Sequence, residues 1–307
     1  MAATTRIVTG SATPIQAQWY TPGTETLVDP DVSTNVTCTV VHVNGTAIAT
    51  NVVATKPATG TTQIVLPSQT VPADLIATWT GTYGGSVRSQ VTYISVAGAF
   101  YVELADIRAL DALVGNTTAY PTAILTQKRA AAEDLFEAVT GRAWVKRYAR
   151  EVLDGDPTYR RAYMPVDQLA YVVPSRRLSL RYAPTRDLLA VSIDGTVAAD
   201  LTLFTLYSGE IERSRTSPGF TRGLQNVVVE YTYGADAPPF ELREQFLVYV
   251  RAMILDTTNR LSERAIAVTN ESGTISIAQA KAWDRPTGIS TVDAALARFG
   301  NQLASFA

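Results

Sequence analysis

Apolar and polar positions alternate with a period of two through most of the first hundred or so residues. In "NVTCTVVHV", Val36, Cys38 and Val40 alternate with Asn35, Thr37 and Thr39. That period predicts a strand with one buried face. Similar runs are "TRIVTGSAT", "IQAQWYT", "TAIATNVV", "TQIVLPS", "LIATWTGTY" and "SVRSQVTYISV", separated by turn-formers such as "PGTE", "VNGT" and "YGGS". About seven short strands follow. Asn44-Gly45 and Gly84-Gly85 predict two-residue type I′ hairpin turns, whose central residues both take positive φ. Trp79 is expected to plug the core. Residues 1–98 therefore read as an all-β, Ig-like sandwich.

After Ala97, Gly98 and Ala99, small residues suited to a hinge, the period changes. Leu104, Ile107 and Leu110 predict a short helix over about 103–113. Pro121 opens a second over about 121–140, with Ile124, Ala131, Leu135 and Val139 on its apolar face and Ala132 and Phe136 beside them. Lys128, Arg129, Glu133, Asp134 and Glu137 fall near the opposite side, and Gly141 suits the stop. Residues of about 144–233 return to strand character, with Asp194-Gly195 and Ser208-Gly209 as turns. "EYTYGADAPPFELREQF" then passes from strand to helix. Asp236 is expected to cap a helix over about 238–257 with Pro238 and Pro239 in its first turn. Leu242, Phe246, Tyr249 or Val250, and Met253 give it an apolar face that needs another helix, and the 121–140 helix is the candidate. Near the end, Thr274–Ile277 reads as a strand, and Ser290 or Thr291 as the cap of a helix with Val292, Leu296 and Phe299 on one side. The fold class is α+β and multidomain: the sandwich over 1–98, a small helical bundle with a β insertion over 99–280, and a thin aromatic tail over 281–307.

Composition narrows the chemistry. The 307 residues are 46% hydrophobic and 18% charged, with a net charge of −2, which gives no global attraction to nucleic acid or acidic membrane. No apolar run approaches the ~20 residues of a membrane helix, and "MAATTRIVTGSATP" lacks the pattern of a secretory signal. Single Cys38 and single His42 exclude a disulfide framework and a His-rich zinc site, and read as a small core residue and a core-edge histidine. Asn-x-Ser/Thr at Asn35, Asn44, Asn116 and Asn270 reads as chance.

No phosphate loop, dinucleotide fingerprint, nucleophile elbow or His-Glu-x-x-His motif is present. Glu210 and Glu212 share a strand face, as a glycosidase pair could, but "SGEIERS" reads better as a solvated strand with Ile211 inward. Glu133-Asp134 is a helical acidic pair, and Asp154 and Asp156 in "DGDP" read as a turn. Between Arg142 and Arg222 there are 13 basic and 9 acidic residues. Arg176, Arg177, Arg181 and Arg186 are the densest group. Asp167 and Asp187 flank it, which favours polar subunit contacts over a nucleic-acid face.

Four segments in order carry a likeness: "ADIRAL" leading to "AILTQKRAAAEDLFEAVTGRAW", then "VEYTYGADAPPFELREQFLVYVRAMIL", then "ERAIAVTNESGTISIA", then "RPTGISTVDAALARF". From about Tyr101 to Ala307 the chain resembles the head-to-tail connector (adaptor) proteins of long-tailed bacteriophages, in the versions from phages of actinobacteria that carry an added amino-terminal β domain. The resemblance implies a structural, non-catalytic protein of the virion neck, made in the host cytoplasm, with no cofactor and no bound metal. It implies a ring, usually of twelve subunits, beneath the portal protein ring, with DNA passing non-specifically through the channel. A stopper or tail terminator would follow on the other side. Trp283, Arg285, Ile289, Phe299, Leu303 and Phe306 are then expected in a portal-docking tail, and Arg176, Arg177 and Arg181 at subunit contacts or the channel. The alternatives are another neck protein, such as a stopper or tail terminator, or a carbohydrate-active enzyme with an Ig-like accessory module.

Overall fold

The computed structural model describes residues 4–31, 36–155, 176–221, 223–255, 267–270, 273–276 and 286–300. The chain is of mixed α+β content, mostly β sheet with a few helices. It divides into two compact units that are interleaved in sequence. The first holds Met1–Ala99 and Lys146–Gly234; the second holds Phe100–Val145 and Ala235–Ala307.

The first unit begins with β1 (Thr4–Val8), β2 (Thr13–Gln18), β3 (Thr37–His42), β4 (Ala47–Val53), β5 (Thr55–Ala58), β6 (Thr61–Leu66), β7 (Ala73–Tyr83) and β8 (Ser86–Ala97). They form a five-stranded sheet ordered β1-β8-β7-β3-β4 and a three-stranded sheet ordered β2-β6-β5. β1 runs parallel to β8, and the other pairs are antiparallel. The alternation seen in sequence is the cause: every second residue of β7, from Ala73 to Tyr83, is buried. Ile15, Leu66, Leu75 and Ile94 meet in the shared core, each contributing ~1.5–3 kcal/mol of burial. Trp79 is fully buried, as expected, and faces Cys38 in register across β3 and β7. Trp19 stacks on Tyr83 with centroids 4.5 Å apart and donates its indole N–H to Thr62 at 3.0 Å.

Two turn expectations meet different outcomes. Gly84 and Gly85 both take positive φ, and the Asp31 carboxylate accepts both their N–H groups at 2.8 Å. The Asn44-Gly45 hairpin exists, but only Gly45 is at positive φ there. His42 C=O accepts from Gly45, and His42 N–H donates to Thr46 C=O. The loop is therefore three residues long, with glycine closing it after an ordinary turn. β5, "TKPA", escaped the sequence pattern because its four residues are all exposed and show no alternation.

The unit continues with β9 (Arg147–Leu153), β10 (Arg177–Ser179), β11 (Thr185–Ile193), β12 (Thr196–Val197), β13 (Phe204–Tyr207), β14 (Glu210–Arg213) and β15 (Val227–Tyr233). They form a sheet ordered β12-β11-β15-β9 and a sheet ordered β10-β14-β13. Val191, Ile211, Phe220, Val227, Val229 and Tyr231 fill the core between them. Asp194 and Gly195, both at positive φ, make the expected two-residue turn from β11 to β12.

The second unit holds α1 (Leu104–Ala109), α2 (Ala112–Gly115), α3 (Thr122–Thr140), α4 (Phe240–Leu255), β16 (Ala267–Asn270), β17 (Gly273–Ser276) and α5 (Ser290–Phe299). The helix expected over 103–113 is two pieces. Asp111 breaks it by accepting the Leu113 N–H at 2.9 Å, which starts α2. The α3 face is corrected more substantially. Ile124 and Val139 are exposed, whereas Leu125, Arg129, Ala132, Glu133, Phe136 and Thr140 are buried. Two charged residues sit inside because the preceding backbone satisfies them. Glu133 accepts the Tyr101 N–H at 3.0 Å, and Arg129 donates to Val102 C=O at 3.3 Å with its guanidinium over the Phe100 ring. Gly141, at φ 65°, ends the helix as expected.

α4 begins at Phe240, and Pro239 C=O accepts its first bond, from Arg243 N–H at 3.0 Å. The prolines therefore precede the helix, and Asp236 lies too early to cap it. Its buried stripe is Leu242, Phe246, Leu247, Val250 and Ile254, with Ile254 in the place expected for Met253. Phe246 packs edge-on against Phe136 at 5.2 Å, so α4 does find α3. Arg243 and Arg251, eight residues apart on one side, reach Asp106 and Asp111, both at 2.7 Å, and tie α4 to α1 and α2. α5 is capped at Ile289, so Ser290 and Thr291 lie in its first turn. The start is held by Asp293 reaching back to the Thr287 N–H and hydroxyl.

Candidate functional site

Three places in the described residues bear on function: the α5 region, the arginine group, and a polar seam inside the first unit.

α5 carries two of the six residues expected in the docking tail. Ile289 is its half-buried cap residue, and Phe299, also half-buried, meets Trp144 edge-on at 5.7 Å. Trp283, Arg285, Leu303 and Phe306 lie outside the described residues. Val292, Ala295 and Leu296 are buried within the unit, where α5 packs on α3 and α4. One stripe of this helix is thus committed to its own core. Exposed Ala294, Ala297 and Arg298 lie on the rest, with Arg298 paired to Glu241 at 2.6 Å.

The arginines do not act as one group. Arg176, half-buried, donates to Ser214 and Ser217 C=O at 2.6 and 2.8 Å and holds the loop after β14. Arg177 sits opposite Glu212 in register and pairs with it at 2.9 Å, with Glu210 at 3.8 Å on the same face. Such exposed pairs are worth ~0–1 kcal/mol. The two carboxylates face one cation instead of a cleft, while Ile211 between them is fully buried, as the alternation predicted. Arg181 is exposed and lies over Tyr182, which stacks on Tyr233 at 4.5 Å. Arg186 donates to Gly234 C=O at 2.8 Å. Asp154 accepts the Gln225 N–H at 2.8 Å, the behaviour of a turn residue, and Asp156 is outside the described residues.

The seam was not anticipated. Glu230, in the middle of the apolar run "NVVVEYTY", is buried and accepts from Asn44 Nδ2 at 3.1 Å. Arg150 Nε lies 3.6 Å from its other oxygen. Burial, then the Glu230 charge and a hydrogen bond to it, push the Tyr148 hydroxyl above its ordinary range. Burial also lowers His42, against the opposing pull of Glu230. Nearby Asp74 is raised by burial, although a hydrogen bond from Ser95 and the charges of Arg147 and Arg6 oppose the shift. Perturbed titratable groups gathered in one place are a recognised mark of an active site. Here the Asn44–Glu230 bond also joins the β3–β4 hairpin to β15. The only signal in sequence was a lone acid inside a mostly apolar and aromatic strand. Asn44, 186 residues away, gave none.

Cys38 is fully buried, and burial pushes its thiol up to about 12, so the core reading stands. Among the described residues no group of three or more His, Cys, Asp or Glu could hold a metal ion. No helix among them is long and apolar enough to cross a membrane. No family model matches the chain, and no curated protein matches it.

Proposed function

We propose that the chain is a structural protein of a bacteriophage neck: a head-to-tail adaptor that forms a ring beneath the portal and joins the DNA-filled capsid to the next neck or tail component. The observation that carries this reading is the order of segments along the chain. A short helix leads into a long one, a β excursion follows, a strand-turn-helix returns, and a last amphipathic helix closes the sequence. The packing of α3 on α4 through Phe136 and Phe246, with α5 against both helices, supports a small helical bundle as its centre. The amino-terminal lobe is read as an Ig-like module. In support, β2, β6 and β5 form one sheet, and the long β7–β8 hairpin sits beside β3 and β4 in the other. It departs from antibody-type domains in having Trp79 opposite a lone cysteine, Cys38, with no second cysteine to bridge. DNA passes through the channel without specific contacts in this reading, consistent with a net charge of −2.

The test is electron microscopy of the purified full chain mixed with portal rings of the same phage. Ring-shaped density capping the portal is expected; a chain that stays monomeric and never associates overturns the reading. The docking tail needs its own variant. Ending the chain at Gly288 removes α5 with its buried Val292 and Leu296, so loss of binding would follow from damage to the core alone. Ending it at Gly300 removes Leu303 and Phe306 but spares α5. That variant is expected to remain folded and lose portal binding, and retained binding refutes the assignment.

A further inference from the structure

Inside the first unit, the amino-terminal lobe (β1–β8) and the β insertion (β9–β15) meet where β9 lies against β7 and β8 and at two polar fastenings. At one, Gly98 N–H donates to Lys146 C=O at 2.9 Å. A Cβ on Gly98 would sit 2.8 Å from Lys146 Cβ, so the close approach requires glycine. At the other, the tip of the β3–β4 hairpin reaches β15 through Asn44 and Glu230, with Arg150 and Tyr148 on the same carboxylate. Lys146, just before β9, and Arg150 within it are four residues apart, so the two fastenings are separated by about 13 Å. β9 also lies against β7 and β8, and the Arg147 charge acts on Asp74 there.

A single backbone contact at a small residue is a hinge; a second contact at a distance turns the hinge into a fixed joint. We propose that Glu230 is the pin of a latch that holds the amino-terminal lobe at one angle to the β insertion, with Gly98 as the hinge about which the lobe swings when the pin is withdrawn. The pin is a buried carboxylate, so removing any partner leaves an underpaired acceptor, and removing Glu230 itself frees Asn44 and Arg150 to solvent. The lobe then keeps the Gly98 bond and the packing of β9 on β7 and β8, but loses its fastening farther from the hinge. This inference stands apart from the neck reading: it concerns one chain and needs no ring or portal.

The experiment measures the distance between spin labels on the two lobes of the full chain. Val87→Cys on β8 and Val197→Cys on β12 place the labels at well-exposed positions, 74% and 66% accessible. The native Cys38 is fully buried and stays unlabelled. The parent is expected to give one narrow distance distribution. Glu230→Ala is expected to broaden it and add distances absent from the parent. Glu230→Gln, which keeps an acceptor for Asn44 but loses the charge facing Arg150, is expected to fall between them. Circular dichroism establishes that each variant is folded. If Glu230→Ala does not fold, Asn44→Ala at the hairpin tip is expected to give the same broadening. A parent that is already broad, or folded alanine variants as narrow as the parent, overturns the proposal.

Discussion

Glu133 and Arg129 are the residues whose roles depart furthest from what their chemistry suggests. On a helix drawn by hydrophobicity they belong outside, yet both are buried because the backbone of residues 100–102 offers partners that water would otherwise supply. Glu133→Ala should therefore lower stability by ~1–3 kcal/mol, since it leaves the buried Tyr101 N–H without its acceptor. Ile124→Ala, on the face that looked like core, should cost within about 0.5 kcal/mol. Denaturant unfolding of the two variants checks the contrast, and equal losses would return Ile124 to the core. His42 supplies a pH test. Burial holds its pKa below the ordinary 6.5, so the folded chain binds that proton more weakly than the unfolded chain. The stabilisation is present above the unfolded value and is lost as pH falls through the folded one. Melting temperature should drop as pH falls from neutral through the histidine range, and His42→Asn should flatten that part of the profile. Asp74, raised by burial, has the opposite sign at lower pH. The solitary cysteine and the core tryptophan were legible because each sits in a clean alternation. Glu133 and Glu230 were not, because a buried charge is explained only by distant partners.

Among the elements, most strands and the buried faces of α4 and α5 declared themselves, whereas the face of α3 did not. An alternating strand has two possible orientations, and composition decides between them. α3 carries apolar residues around much of its circumference, and the side that meets α4 is chosen by Phe136 fitting Phe246, a contact across more than a hundred residues of sequence. The starts of α3 and α4 were misplaced by one and two residues for a local reason. Proline carbonyls at Pro121 and Pro239 accept the first helical bonds, so each proline stands just outside its helix. Sheet edges are guarded: β4 is bulged and carries Asn51 at positive φ, and β5 contains Pro57, devices that discourage strand addition. α5 tests the reading of the carboxyl-terminal region. Leu296→Ala should cost ~2–5 kcal/mol, as for any large-to-small core change. A loss well under that range, read by thermal unfolding, would mean that the helix contributes little to its unit.

At the level of the whole molecule, mixed α+β content was legible in the change of period near Gly98 and again near Gly234. The partition into units was not, because it depends on which ends meet. Gly98 bonds to Lys146, and Ala235 N–H bonds to Ala143 C=O at 3.1 Å, so each unit is closed where the chain leaves it. A polypeptide in which Ala99 is joined to Lys146 through a short glycine linker, ending at Gly234, should fold alone. Its amide exchange should match that of the same residues in the full chain, and a collapsed or aggregated product would show that the first unit depends on the second.

The interleaving also sets a schedule for synthesis. α3 leaves the ribosome with Phe136 exposed, and its partner Phe246 follows 110 residues later. At ~5–20 residues per second that interval is roughly 5–20 seconds, during which a β lobe can fold while the helices cannot finish. The nascent chain therefore presents an unfinished apolar surface for longer than a chain with two consecutive domains would, and its yield in cells should respond to chaperone supply more than its final stability suggests.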